Sequence, residues 1–391
     1  MGRLIRIIFI LAIGTIAGWP AAPQIIGPAN EIPSAAIEDH GHLRILRLRG
    51  TPYEMGYQHG QAERKAIRQW INELVYDRTI LALGHSHAIL LAYTRQIENR
   101  FPADIRRELR GIADGAGAAY EEILLLNLVL NRPLPISPLV ANAPPPPALA
   151  LQALTFAASP PATQQNEKAT SALLGYLLDA PGQATRLRRH LLVIIYQPAG
   201  GQSYATLTWS GQVGAWCGLN KASLAICATP VQHSHANQEL APAILVRQLL
   251  AQAQNSEQAL RQAIQNDYLA AFQLLIADGQ SQLITVIDFG EHKYEIIPAN
   301  ESNQGLLTLG PRAAELEGLL SQSIGKFNQF NRDKALATLN TRANNSEKET
   351  AICSESTLLN ALFVPGQNEI WIGLDLWPAS CRRYLRFNPL D

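Results

Sequence analysis

Seven prolines crowd residues 133 to 147: Pro133, Pro135, Pro138 and the run Pro144–Pro147. Neither a helix interior nor a central strand can pass through such a stretch, because each proline lacks a backbone N–H and locks its φ. The chain is therefore divided here. Helical patterning precedes the block, strand patterning follows it, and residues 133–150 read as a linker. Recognition as a proline-rich peptide is the livelier alternative, but the run is short and lacks a repeated motif.

Before the block, Leu43 to Leu48 alternates in the manner of a strand that ends at Gly50. Helical patterns run from Tyr53 to about Ala92 and from Ile105 to Ala113. The glycines of Gly115-Ala116-Gly117 break the second of these. Glu121 and Glu122 open an apolar helix through Leu130, where acidic side chains suit the positive end of the helix dipole. Gly56 and Gly60, four residues apart, share one helical face and allow another element to approach closely. Residues 43–132 thus read as a helical N-terminal region.

From about Leu149 the pattern changes to short, glycine-punctuated strands. They are expected at Leu191 to Tyr196, Tyr204 to Trp209, Val213 to Trp216 and Leu224 to Ala228. Helices are expected from about Ala241 to Gln254 and from Ser256 to Gln265, with Ser256 as N-cap. Strands return at Phe272 to Ala277, Leu283 to Phe289 and Tyr294 to Ile297, then a helix over Pro311 to Leu320. The C-terminal strands are Thr357 to Phe363, Glu369 to Leu374 and Tyr384 to Phe387. Strand blocks alternating with helix pairs favour an α+β fold, two packed sheets between helical layers, over a doubly wound parallel sheet.

Composition narrows the function. The 391 residues are 47% hydrophobic and 16% charged, enough to bury a large core. Lys+Arg and Asp+Glu balance at 32 each with no basic run, so a nucleic-acid partner is set aside. Arg3 and Arg6 precede an apolar stretch from Ile7 to Ala17, followed by Trp19-Pro20-Ala21-Ala22. Residues 1–22 therefore read as an export signal, giving a periplasmic or extracellular protein. An uncleaved N-terminal anchor is the alternative, and the membrane enters in no other way. Four cysteines in an exported chain suggest disulfides, with 217–227 and 353–381 the expected pairs and buried thiols the alternative.

A family likeness enters at specific residues. The segment Gly50-Thr51-Pro52-Tyr53-Glu54-Met55-Gly56-Tyr57-Gln58-His59-Gly60 is one motif, and Glu108 to Gly117 running on to Leu124-Leu125-Leu126-Asn127 is a second. Thr208-Trp209-Ser210-Gly211-Gln212-Val213-Gly214 with Gly218-Leu219-Asn220 is a third; Arg247, Ala277-Asp278 and Phe363-Val364-Pro365 follow in order. In this order, from about residue 43 to 387, the chain resembles the isopenicillin-N acyltransferase family of N-terminal-nucleophile hydrolases. The resemblance implies a four-layer αββα sandwich over residues 151–391, self-cleavage that frees a catalytic Cys, and acyl transfer or hydrolysis at amide bonds. No cofactor and no metal are expected.

The catalytic positions depart from that pattern. Matching on Phe156-Ala157-Ala158 puts the family's nucleophile at Ala153, whose methyl group cannot attack a carbonyl. The family's Gly-Arg-Asn-x-Asp run reads Gly175-Tyr176-Leu177-Leu178-Asp179, keeping Asp179 alone of its polar members. Its Thr-Asn-His run reads Thr308-Leu309-Gly310, and Leu309 cannot donate to an oxyanion. No cysteine occurs before Cys217, so a shift of register restores no thiol.

Thr155 is the substitute nucleophile considered, with Ser159 and Ser171 as nearby hydroxyls. No Gly-x-Ser-x-Gly elbow is present. Tyr53, His59 and Asn220 are candidates for lining a substrate pocket, against helix-start, turn or capping roles. The pairs His40/His42, His85/His87 and His233/His235 have metal-ligand spacing but no acidic cluster after them, and solvated loops explain them better. Two functions are expected to compete. One is a degenerate, non-catalytic homologue binding an acylated small molecule or a partner. The other is an active, self-processing amidohydrolase or acyltransferase that uses Thr155.

Overall fold

The computed structural model describes residues 32–389 apart from 42, 83–85, 132–150, 166–167, 170–171, 231–241, 266–271, 291–292, 328–329, 342–351 and 374–382. The signal segment, the proline linker, His42, His85, His233, His235 and Cys381 lie outside the described residues. Strands β1 (Ala36–Asp39) and β2 (Arg44–Gly50) lead into α1 (Pro52–Ala62), α2 (Arg64–Trp70), a π-helical run over Ile71–Ala82, α3 (His87–Glu98), α4 (Ala103–Ala116) and α5 (Tyr120–Asn131). A capping box starts α1. The Glu54 N–H donates to the Thr51 hydroxyl, and the Glu54 carboxylate accepts from the Thr51 N–H.

Helices α1 and α4 meet through glycine on both sides. A Cβ at Gly56 would collide with the Glu108 carbonyl, and one at Gly60 with that of Ile112. Reciprocally, Gly111 lies against the Tyr53 carbonyl and Gly115 against that of Tyr57. The expected close approach at Gly56 and Gly60 is therefore to α4. Gly115, expected to break the helix, sits inside it, because its bare Cα is what admits α1. Gly117 ends α4 in the left-handed conformation, φ 63° and ψ 40°.

The strand-rich part begins with β3 (Gln152–Ala158), a two-strand tongue β4 (Gln164–Gln165) and β5 (Lys168–Ala169), then β6 (Leu173–Asp179) and α6 (Ala184–Arg188). Next come β7 (Leu191–Pro198), β8 (Tyr204–Trp209), β9 (Cys217–Asn220), β10 (Leu224–Pro230), α7 (Pro242–Gln252) and α8 (Ser256–Ile264). The chain continues through β11 (Phe272–Asp278), β12 (Ile284–Phe289), β13 (Tyr294–Pro298), β14 (Leu306–Leu309), α9 (Ala313–Phe327), α10 (Arg332–Leu339), β15 (Thr357–Val364), β16 (Glu369–Gly373) and β17 (Tyr384–Phe387). One sheet has nine strands in the order β1-β2-β7-β8-β9-β10-β11-β12-β13, and the other has six, β14-β3-β6-β15-β16-β17.

Alternation along the strands makes the four layers. On β3, Phe156 points outward and meets Phe330 edge-on at 5.8 Å, in a core shared with Leu316, Leu320 and Leu339 of α9 and α10. Its neighbour Thr155 points the other way, to Thr229 of β10 at 3.1 Å. On the far side of the nine-stranded sheet, Gly218 of β9 leaves room for Leu250 of α7. The fold is α+β, two sheets between helical layers. The helical stretch is not set apart from it: β2 pairs in parallel with β7, and residues 34–391 form one compact unit.

Several expectations need correction. Val213 to Trp216 is not a strand. The next four residues, Cys217–Asn220, form β9, since Gly218 suits close packing under α7 as well as it suits a turn. The N-cap of α8 is Asn255, whose side chain accepts from the Gln258 N–H, while the Ser256 N–H goes to Asp278. Cys217 and Cys227 are free thiols, not a disulfide. They lie directly opposite one another on β9 and β10, so the expected proximity is real but the bond is not formed. Among the described residues no helix is long and apolar enough to cross a membrane.

Candidate functional site

Ala153 is the second residue of β3 and is paired with Leu178 of β6. Two residues further in, Thr155 lies between Leu309 of β14 and Tyr176 of β6, and Tyr176 in turn lies opposite Ala361 of β15. Residues directly opposite in a ladder share a face. Leu309, Thr155, Tyr176 and Ala361 therefore form one row across four strands, turned toward the other sheet, with Ala153 and Leu178 in the next row. Ala153, Tyr176 and Leu309, three of the four positions at which the sequence departs from the motifs it resembles, are gathered here. The fourth, Leu177, points to the opposite face, into the core under α9 and α10.

The side chains of this row are shut off from solvent. Thr155 and Tyr176 are fully buried, Ala153 is 1% exposed, and Leu309 is 7% exposed. The Tyr176 phenol reaches across the gap to donate to the Ala228 carbonyl at 3.4 Å. Thr155 Oγ1 and Thr229 Oγ1 share a hydrogen bond, so the candidate nucleophile is held by another neutral hydroxyl rather than by a base. Two thiols also face this space, Cys217 and Cys227. Burial pushes the Cys227 thiol up, its contact with Cys217 adding to the effect, and burial raises the Tyr176 phenol for the same reason. A buried, protonated thiol is a poor nucleophile.

Asp179 is on the other side. It belongs with the outward-facing residues of β6, paired with Gln152 and Thr357. Its carboxylate accepts from the Thr357 hydroxyl at 2.8 Å and lies 3.4 Å from Arg312. Burial raises its pKa, and Thr357 and Arg312 oppose that shift. The two residues expected to share catalysis, Thr155 and Asp179, face opposite sides of one sheet.

The proposed substrate contacts lie among the outer helices instead. The Tyr53 hydroxyl donates to Asp114 at 2.8 Å, and burial together with that carboxylate raises its pKa to about 12. His59 Nε2 accepts from the Gly211 N–H at 3.0 Å; burial, then Arg247, push its pKa down to about 3. Asn220 donates its amide to the Leu250 carbonyl of α7 and to the Ala253 carbonyl just beyond it, and accepts from the Leu224 N–H. Asn127 similarly bonds the Gly211 carbonyl and the Val213 N–H. Beneath them, Arg247 is fixed by Glu108 at 2.6 Å, by the Tyr204 hydroxyl at 2.5 Å and by the Val213 carbonyl at 2.6 Å, with its guanidinium 3.8 Å above the Tyr196 ring. The shared sequence motifs thus build a buried polar frame joining α1, α4, α5 and α7 to the nine-stranded sheet.

Sequence reasoning missed Thr229 and the inward turn of the two thiols. The alternation Ala225-Ile226-Cys227-Ala228-Thr229 carried the signal that Cys227 and Thr229 share a face. Nothing local could say that this face meets β3. Among the described residues no group of three or more His, Cys, Asp or Glu side chains is arranged to hold a metal.

No family model matches the chain. A protein of Archaeoglobus fulgidus, described as uncharacterized, is 33% identical over 161 residues, which is 35% of this chain and 25% of that protein. Protein dcd1A of Dictyostelium discoideum is 22% identical over 285 residues, 65% of this chain and 59% of that protein. The chain spans a quarter and about three-fifths of the length of these two relatives. Among solved structures, the Caenorhabditis elegans ortholog of N-acylethanolamine-hydrolyzing acid amidase is 15% identical with a TM-score of 0.43, covering 55% of this chain and 93% of that one. A variant of conjugated bile acid hydrolase from Clostridium perfringens gives 9% identity and a TM-score of 0.34, covering 60% and 84%. Penicillin V acylase from Agrobacterium tumefaciens gives 13% and 0.32, covering 59% and 76%.

Proposed function

We propose that this chain is a non-catalytic protein on an amide-hydrolase scaffold, related to the isopenicillin-N acyltransferases, whose remaining role is to bind an acylated small molecule. The row Leu309–Thr155–Tyr176 carries the proposal. It lies on the inner face of the sheet, where a nucleophile, an oxyanion donor and a substrate carbonyl would have to meet, and offers neither of the first two. Ala153 supplies no lone pair, Thr155 meets a hydroxyl rather than a base, and Asp179 lies on the opposite face. Export belongs to the same proposal and rests on the pattern of residues 1–22.

The test combines intact mass with turnover. Purified protein is expected as a single chain, trimmed at most near residue 22, and is expected to release no amine from a series of N-acyl amines and N-acyl amino acids of graded chain length. Calorimetric titration with the same series is expected to give saturable binding.

A second reading is an active amidohydrolase or acyltransferase, favoured by one observation: the Thr155 hydroxyl faces the inner space. It requires two fragments split near residues 152–155, and loss of that split in Thr155→Ala. Such a result would replace the first proposal.

A further inference from the structure

Cys217 of β9 and Cys227 of β10 are fully buried nucleophiles to which the proposed role gives no task. They stand opposite one another in the ladder, and their thiols are in contact. Three backbone bonds fix the kind of position they occupy. The Ala228 N–H donates to the Trp216 carbonyl at 2.8 Å, so the adjoining pair is a hydrogen-bonded one. On the outer sides, the Lys221 N–H donates to the Ser203 carbonyl and the Gly279 N–H to that of Ser223. Bonded and non-bonded pairs alternate in an antiparallel ladder. Cys217 therefore turns its backbone groups to Leu207 of β8, and Cys227 turns its own to Leu275 of β11. Toward each other they form a non-bonded pair, with Cα atoms about 4.5 Å apart and side chains at their closest. A disulfide spans Cα separations of about 4.4–6.8 Å. A bond at the short limit of that range is strained and easily reduced.

We propose that Cys217 and Cys227 are a reversible redox pair, closed into a cross-strand disulfide by a low-molecular-weight disulfide such as oxidised glutathione and reopened by the matching thiol. The structure holds the dithiol form. In the forward direction one cysteine, as thiolate, attacks the glutathione disulfide and displaces one glutathione. The other then attacks the protein sulfur of the mixed disulfide and displaces the second. Two electrons and the two thiol protons pass to the oxidant, which ends as two molecules of thiol. Burial keeps the Cys227 thiol protonated, so exchange in the folded chain is slow and runs through local opening of the β9–β10 hairpin. Closure acts beside the contact that ties the two sheets: the Tyr176 phenol donates to the carbonyl of Ala228, the residue after Cys227. This inference depends neither on whether the chain is catalytic nor on export.

Redox titration of the purified full chain in mixtures of reduced and oxidised glutathione tests it. After equilibration the chain is unfolded in a maleimide that caps free thiols, and peptide mapping reads Cys217 and Cys227 apart from Cys353 and Cys381. A cross-link between residues 217 and 227 is expected at oxidising ratios and is lost at reducing ones, with a midpoint inside the range the mixtures cover. Circular dichroism is expected to show the fold intact throughout. A pair that stays reduced at every ratio overturns the proposal. So does a pair that stays closed at every ratio, since a structural disulfide resists the glutathione couple. A cross-link that forms only once the chain has unfolded, or that joins either residue to Cys353 or Cys381 instead, overturns it equally.

Discussion

Thr155 and Thr229 join the two sheets through a 3.1 Å contact between their hydroxyl oxygens, both fully enclosed. A nucleophile and a structural clasp respond differently to isosteric replacement. Thr155→Val should leave the Thr229 hydroxyl buried without a partner and cost about 1–3 kcal/mol, whereas Thr155→Val with Thr229→Val should come close to neutral. Urea unfolding of the two variants decides. If the double variant is as unstable as the single, the hydroxyls do not act as a pair.

A thiol placed at position 153 should not by itself bring about self-cleavage. Ala153→Cys puts a thiol at the start of β3, but Tyr176 and Leu309 still occupy the next row and supply neither charge nor an amide donor. Intact mass spectrometry is expected to find one uncleaved chain. Fragments beginning at residue 153 would mean that a thiol at this position is enough for self-cleavage, against the proposed inert role.

The crossing of α1 and α4 should tolerate no side chain. Gly56→Ala or Gly111→Ala drives a methyl group into a backbone carbonyl and should cost about 3 kcal/mol. Gly318 of α9 meets nothing within 4 Å, so Gly318→Ala should stabilise by about 0.5–1 kcal/mol through helix propensity. Calorimetric melting of the three variants against the parent checks both signs.

The buried pair of Glu108 and Arg247 should be costly to break from one side. Arg247→Met leaves the buried Glu108 carboxylate without its countercharge and should cost about 3–5 kcal/mol. Arg247→Met combined with Glu108→Leu should cost clearly less than the sum of the single changes, in the same urea measurement.

Acid should loosen the helical layer. Burial holds His59 down to about 3 and His190 to about 4, the latter stacked on Trp70 at 4.3 Å. Both therefore stay neutral in the folded chain while the unfolded chain takes up their protons near the ordinary value of 6.5. The stability they contribute is complete above pH 6.5 and is lost as pH falls toward 4, by about 1.4 kcal/mol per unit for each. Asp179 and Glu63, whose pKa values burial raises, act with the opposite sign. A comparison of parent and His190→Phe isolates one histidine. The variant should show the shallower loss of stability between pH 6.5 and 4, and an unchanged slope would remove His190 from the account.

The helical region, the strand blocks and the motif order were legible because each rests on local periodicity or on glycine and proline chemistry. Even the α1 side of the helix crossing was visible, at Gly56 and Gly60. Its partner surface at Gly111 and Gly115 was not, since a glycine inside a helix looks the same locally as one that ends it. Val213 to Trp216 and Cys217–Asn220 exchanged roles for a similar reason. A strand that packs closely under a helix carries the glycines of a turn.

By itself, the sequence determined that no thiol precedes Cys217 and that positions 153, 176, 177 and 309 carry Ala, Tyr, Leu and Leu. Only the tertiary structure decided that Ala153, Thr155, Tyr176 and Leu309 meet on one inner face while Asp179 and Leu177 turn away. The physical reason is the two-residue period of a strand. A residue's type fixes what it can do, but strand pairing and register fix which face it shares, and these are set by contacts between distant parts of the chain.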